Sequence, residues 1–125
     1  MSEADEFLDL AEESLNDLEA VENVSDRLFW NSLYYSIFYG AKAALISLGF
    51  EPKTHQGTDR LVGKILYKDE NFIEAEDSKF FSRMKTIREE IDYNPSAKIS
   101  RDKDKSKNMA HDFISQMREI VNKDL

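Results

Sequence analysis

Apolar positions recur at helical spacing along most of the chain, and no stretch alternates as a half-buried strand would. The most apolar stretch runs from Ser25 to Gly49. One stripe follows Trp30, Tyr34, Ile37, Ala41, Leu45 and Leu48; a second follows Phe29, Leu33, Gly40, Ala44 and Ser47 and is made largely of small residues. A helix apolar over most of its circumference is covered on several sides, and small side chains let another backbone come close. Ser25 suits the N-cap, and Asp26 suits the positive helix start. Gly49 suits a left-handed C-terminal cap, and Pro52 forbids continuation. Asp26, Arg27, Asn31 and Lys42 interrupt the run too often for a membrane span.

Four further helices are predicted around this one. The first spans about Ser2 to Glu22, with Phe7, Leu8, Ala11, Leu15, Leu18 and Val21 on its apolar face. A short turn at Asn23 and Val24 favours an antiparallel neighbour. After the loop from Phe50 to Gly57, Thr54 caps a shorter helix, from about His55 to Tyr67, carrying Leu61, Val62, Ile65 and Leu66. Phe72 and Ile73 plug the end of the bundle. The next helix runs from about Glu74 to Asp92, with Phe80, Phe81, Met84, Ile87 and Ile91 in its stripe, and Asn94 and Pro95 stop it. Residues 94–107 read as a polar loop. The last helix runs from about Asp104 to Lys123, with Ala110, Phe113, Ile114, Met117, Ile120 and Val121 inward. The expectation is one all-α domain over residues 1–125, an up-and-down bundle of about five helices.

The net charge of -8 argues against a simple duplex nucleic-acid binder. The charge is uneven. Ten acidic residues and no basic one lie between Ser2 and Asp26, whereas Lys98, Arg101, Lys103, Lys105 and Lys107 crowd a short polar stretch. These read either as solvated surface or as an acidic face for a protein partner and a basic loop for phosphates. The chain has no cysteine, which excludes disulfides and thiolate chemistry and agrees with a cytoplasmic protein. The acidic N-terminus lacks the basic start and apolar run of a secretory signal. Two histidines far apart, His55 and His111, do not suggest a metal cluster, and no metal or cofactor is expected. There is no phosphate-cradling glycine loop, and no Glu-x-x-His pattern of a di-iron bundle.

Four pieces in order carry a resemblance. They are the aromatic run Asn31-Ser-Leu-Tyr34-Tyr35-Ser-Ile-Phe38-Tyr39-Gly40-Ala41-Lys42-Ala43-Ala44-Leu45, the turn Lys53-Thr54-His55-Gln56-Gly57, the segment from Phe80 to Tyr93, and the final amphipathic helix. Together they resemble the small stand-alone HEPN proteins of prokaryotes. That resemblance implies a helical bundle, commonly a homodimer, often encoded beside a nucleotidyltransferase with which it forms a two-component, toxin–antitoxin type module. It also implies metal-independent cleavage of RNA in the active members, by an arginine and, after four to six intervening residues, a histidine. Arginine would hold the phosphate, and histidine would move a proton near neutral pH.

Arg88 matches the arginine, but the histidine window holds Tyr93, Asn94 and Pro95. Tyrosine, with an ordinary pKa of about 10, is a poor base at pH 7. Arg88 either pairs with Asp92 one turn on or meets an RNA or nucleotide phosphate. Tyr93 either packs at the helix end or supplies a hydroxyl or a stacking ring. His55, beside Lys53 and Thr54 at a predicted helix start, is a surface capping residue or part of an anion site. His111 reads as an ordinary boundary residue. Tyr34, Tyr35, Phe38 and Tyr39 read first as core, with Tyr35 or Tyr39 free to reach a dimer interface.

Three functions follow. The first is a partner of a nucleotidyltransferase that binds RNA or nucleotide through His55, Lys53 and Arg88. The second is a ribonuclease with a non-standard catalytic pair of Arg88 and Tyr93, assisted by His55. The third is a non-catalytic dimerisation module.

Overall fold

The computed structural model describes residues 2–94 and 96–123. Met1, Asp124 and Leu125 lie outside the described residues, and so does Pro95, the expected helix stop. All regular structure among the described residues is helical. Helix α1 (Glu3–Asn16) opens with a capping box in which the Asp5 amide donates to Ser2 Oγ at 3.1 Å and the Ser2 amide donates to Asp5 Oδ2 at 3.3 Å. A single further turn, α2 (Leu18–Val21), continues the same apolar line, so the first expected helix is present but broken at Asp17. Helix α3 (Asp26–Ser47) starts where Ser25 Oγ accepts the Leu28 amide at 3.0 Å. It ends where Gly49 takes a φ of +94°, a left-handed conformation glycine adopts without strain.

Helix α4 (His55–Leu61) is capped by Thr54, whose Oγ1 accepts the Gly57 amide at 2.8 Å. It passes directly into a π-helical stretch, Val62–Asp69, that the periodicity did not reveal. Its bonds reach five residues back, as from the Glu70 amide to the Ile65 carbonyl at 2.9 Å. Val62, Ile65 and Leu66 are buried, and over so few residues their spacing suits either winding. Asn71, at φ +53°, turns the chain so that Ile73 is buried and Phe72 packs against the core. Helix α5 (Ala75–Tyr93) follows, with the Glu74 amide donating to Asp77 Oδ2 at 2.9 Å. Helix α6 (Lys103–Lys123) begins within one residue of its expected start, so residues 103–107, read as the end of a polar loop, are helical and the loop after α5 is correspondingly shorter. Among the described residues the bundle is all-α and up-and-down, with five helices and the extra turn of α2.

Helix α3 is the axis and touches every other element. Trp30, Tyr34, Ile37, Ala41 and Leu45 are buried, and so are Phe29, Leu33, Gly40 and Ala44 on the second stripe. The glycine has a packing role: a Cβ at Gly40 would stand 3.4 Å from Ile114 Cγ1 and 3.4 Å from Met117 Cγ, both on α6. The main core joins these residues to Phe80, Phe81 and Met84 of α5 and to Phe113 and Met117 of α6, and Phe81 stacks on Phe113 at 5.8 Å. A satellite cluster of Ala4, Leu8, Ala43 and Val121 closes one end. No helix among the described residues is long and apolar enough to cross a membrane.

The start of α6 is fixed by charge as well as packing. Lys103 Nζ lies 2.7 Å from Asp26 Oδ1 and donates to the Glu22 carbonyl at 3.2 Å. Lys107 Nζ donates to Glu22 Oε2 at 3.0 Å, and that hydrogen bond holds its pKa above the usual lysine value. Two of the five cations of the expected basic loop are therefore spent on intramolecular pairs with the acidic N-terminal segment. These pairs are partly buried at the protein surface, where an ion pair contributes on the order of 1 kcal/mol, so this contact orients α6 more than it stabilises it.

Close approach at Gly40 gives a direct test. Gly40→Leu adds methylenes into a filled gap between α3 and α6, and should lower unfolding stability by about 1–3 kcal/mol in urea denaturation.

Candidate functional site

Two of the expected site residues, His55 of α4 and Arg88 of α5, meet on one side of α3. Tyr34 is fully buried, so its hydroxyl needs a partner within the fold. It finds His55 at the start of α4, with Tyr34 Oη 2.8 Å from His55 Nδ1. The His55 ring also stacks on Phe38, with centroids 4.4 Å apart and planes at 28°, and meets the Tyr35 ring edge-on at 5.8 Å. Helix α4 is held for this purpose by two further bonds. The Thr58 hydroxyl donates to the Thr54 carbonyl at 2.8 Å, and Ser82 Oγ on α5 donates to Asp59 Oδ1 at 2.6 Å. The second bond ties the helix of His55 to the helix of Arg88.

Arg88 reaches the same aromatic group from α5. Its Nη1 donates to the Tyr35 hydroxyl at 3.1 Å, and its guanidinium carbon sits 5.5 Å from the Tyr34 ring centroid and 5.8 Å from that of Tyr35. Arg88 Nε lies 3.5 Å from Asp92 Oδ2, so the expected pair one turn on does form. That contact lacks hydrogen-bond geometry, and the buried Nε has no hydrogen-bond partner. Arg88 thus combines a structural contact with an unfilled donor. Lys85, one turn before it, pairs with Glu89 at 2.5 Å.

Electrostatics follow from this crowding. Burial pushes the Tyr34 phenol well above the ordinary tyrosine value, so it stays protonated at neutral pH. His55 is pulled below its ordinary 6.5, first by burial and then by the positive charges of Arg88, Lys85 and Lys42. The imidazole is therefore neutral at pH 7. When Tyr34 donates to Nδ1, Nε2 carries the ring proton and is a donor; when Nδ1 donates, Nε2 is a free acceptor and a base. A neutral imidazole beside a guanidinium with an unfilled donor can grip a phosphate oxygen and exchange a proton with it. Among the described residues, no three His, Cys, Asp or Glu side chains converge as metal ligands would.

Residues 1–125 match the family model for the HEPN domain. The chain belongs to the HEPN domain family. It is 33% identical over 94 residues to a "UPF0332 protein" of Archaeoglobus fulgidus, covering 74% of each chain. It is 29% identical over 104 residues to "Putative toxin MJ0142" of Methanocaldococcus jannaschii, covering 80% of this chain and 68% of that one. A second protein of that organism, "Putative toxin MJ0605", is 30% identical over 88 residues, covering 70% of this chain and 65% of the other.

Within this HEPN bundle the other expected residues fall elsewhere. Tyr93 is 91% exposed at the last turn of α5, so it does not pack at the helix end. No hydrogen bond or ring contact joins it to Arg88 among the described residues. Lys53 stands in solvent, its Nζ a loose 3.9 Å from Glu51 Oε2. His111 is exposed on α6, as its sequence position suggested. The bond between Tyr34 and His55 was not anticipated. The available signal was a tyrosine inside a buried stripe, whose hydroxyl had to be satisfied by a polar residue from another element.

The environment of His55 sets a pH dependence. The folded state resists protonation, whereas an unfolded histidine takes up its proton near 6.5. Stability should therefore fall as pH drops from about 6.5 towards the folded midpoint, with no contribution from this residue above that range. An NMR titration should place the His55 midpoint below 6.5, and Arg88→Gln should raise it.

Proposed function

We propose that this chain is a toxin-like HEPN protein that binds RNA or a nucleotide through Arg88 and His55, and that it works as a homodimer in a two-component module with a nucleotidyltransferase. One observation carries the binding reading. Arg88, the residue matching the family arginine, is held on the Tyr35 hydroxyl with its buried Nε unfilled, one ring away from the neutral His55. A phosphate oxygen would add a charge-assisted hydrogen bond to the guanidinium, and bonds of this kind are the strong ones. The toxin reading is supported by family membership and by the names of the two Methanocaldococcus relatives. The nucleotidyltransferase partner and the homodimer rest on the family resemblance, and the acidic segment from Glu3 to Asp26 is a suitable face for a basic partner.

A second reading has its own support. The histidine missing from the α5 motif has a spatial substitute, because His55 of α4 meets the same Tyr35 that Arg88 hydrogen-bonds. In a metal-independent endoribonuclease, His55 Nε2 would move the proton while Arg88 holds the phosphate. Tyr93, with no hydrogen bond or ring contact to this group among the described residues, is the weaker candidate for that role.

Two measurements test these readings. In fluorescence anisotropy with a labelled single-stranded RNA, Arg88→Gln should weaken binding by about tenfold or more, as expected for losing a charged hydrogen bond worth about 1.5–3 kcal/mol. Equal affinity of wild type and variant would sink the binding site. In EDTA, RNA cleavage that disappears in both Arg88→Ala and His55→Ala, and persists in Tyr93→Phe, would establish the ribonuclease reading. Intact RNA with the wild type leaves binding as the activity.

A further inference from the structure

Beyond His55 the aromatic group continues along α3 to a second cation. Phe38, on which His55 stacks, is followed one turn on by Lys42, whose Nζ lies 6.0 Å from the Phe38 centroid. The same Nζ sits 4.6 Å over the ring of Phe7 on α1, and Phe7 stacks on Tyr39 at 6.0 Å. Tyr39 in turn meets Tyr35 at 5.9 Å. The result is a row with Arg88 at one end, Lys42 at the other, and the half-buried rings of Tyr35 and Tyr39 between them. Lys42 has no carboxylate partner among the described residues. Tyr35, which holds Arg88, and Lys42 are seven residues apart on α3, a rise of about 10 Å.

We propose that the binding site extends along α3 from Arg88 to Lys42, and that its ligand is a single-stranded polynucleotide with more than one phosphate, its base resting on the edge formed by Tyr35 and Tyr39. This rests on the reading of Arg88 as a phosphate-binding residue and adds Lys42 as a second one. A mononucleotide on Arg88 leaves Lys42 unused. A duplex hides its bases from the two tyrosines, whereas a single strand offers each ring a face to stack on. Two separated cations with aromatic rings between them favour a polyanion that also carries rings over an apolar protein partner.

The test measures binding of a labelled single-stranded oligouridylate, a duplex of equal length and uridine monophosphate to the folded wild type, Lys42→Ala, Lys42→Arg and Arg88→Ala. Circular dichroism checks that each variant is folded. Lys42→Ala should weaken the oligomer by about tenfold, as for the loss of one charged contact, and lower the salt slope by about 0.7. Its affinity for the monophosphate should be unchanged, and Lys42→Arg should restore the oligomer. Arg88→Ala should weaken both single-stranded ligands. Loss with Arg88→Ala but wild-type oligomer binding by Lys42→Ala would overturn the extension and leave the Arg88 site standing. Absence of binding by the wild type would overturn both. A change of oligomeric state in Lys42→Ala by analytical ultracentrifugation, with RNA affinity kept, would make this face a protein interface and overturn the extension.

Discussion

Burial of α3 over most of its circumference is the constraint from which the rest of the molecule follows. Its side chains touch every other element, so each of its faces decides what a neighbour can be. Towards α6 the face is small: at Gly40 there is room for Ile114 and Met117 and for little else. Towards α5 it is large and aromatic, and Tyr34 lies 6.1 Å from Phe81. A close-packed interior leaves few voids, so these size differences set the distance and register of each helix against the axis.

The same burial generates the polar chemistry. A tyrosine inside the core carries its hydroxyl with it, and an unpaired buried hydroxyl costs about 1–3 kcal/mol. Pairing Tyr34 with His55 removes that cost and fixes the imidazole against Phe38 and Tyr35. Arg88 completes the arrangement on the neighbouring tyrosine hydroxyl. The guanidinium then helps to keep His55 neutral, which matters because a neutral imidazole can accept or give a proton at pH 7 and an imidazolium can only give one. Structure and prospective function therefore use the same atoms. Arg88 Nε is among the buried side-chain donors without a hydrogen-bond partner among the described residues.

Electrostatics at the other side of the bundle serve assembly of the fold. The N-terminal acidic run and the cations before α6 are far apart in sequence, and each looks like a surface for something else. In the folded chain, Glu22 and Asp26 take up Lys107 and Lys103. Part of what would be a phosphate-binding loop thereby becomes the first turns of a helix.

The helices themselves were legible from the chain alone. Ser25 and Thr54 sit where the caps are, Gly49 sits where α3 ends, and the apolar stripes of α3, α5 and α6 are the buried ones, because capping and periodicity are local properties. Arg88 and His55 could each be singled out by residue type and by resemblance. Their meeting could not, because it depends on how α4 and α5 lie across α3 and on the bond from Ser82 to Asp59 between them. The π-helical winding of residues 62–69 escaped for a related reason: three apolar positions in eight residues satisfy two helical periods. The roles of Lys103 and Lys107 also waited on the tertiary structure, since a charge pattern does not name its partner. Sequence determined which segments are helical and which faces are apolar. Only packing decided which polar atoms meet, because that depends on contacts between segments distant in the chain.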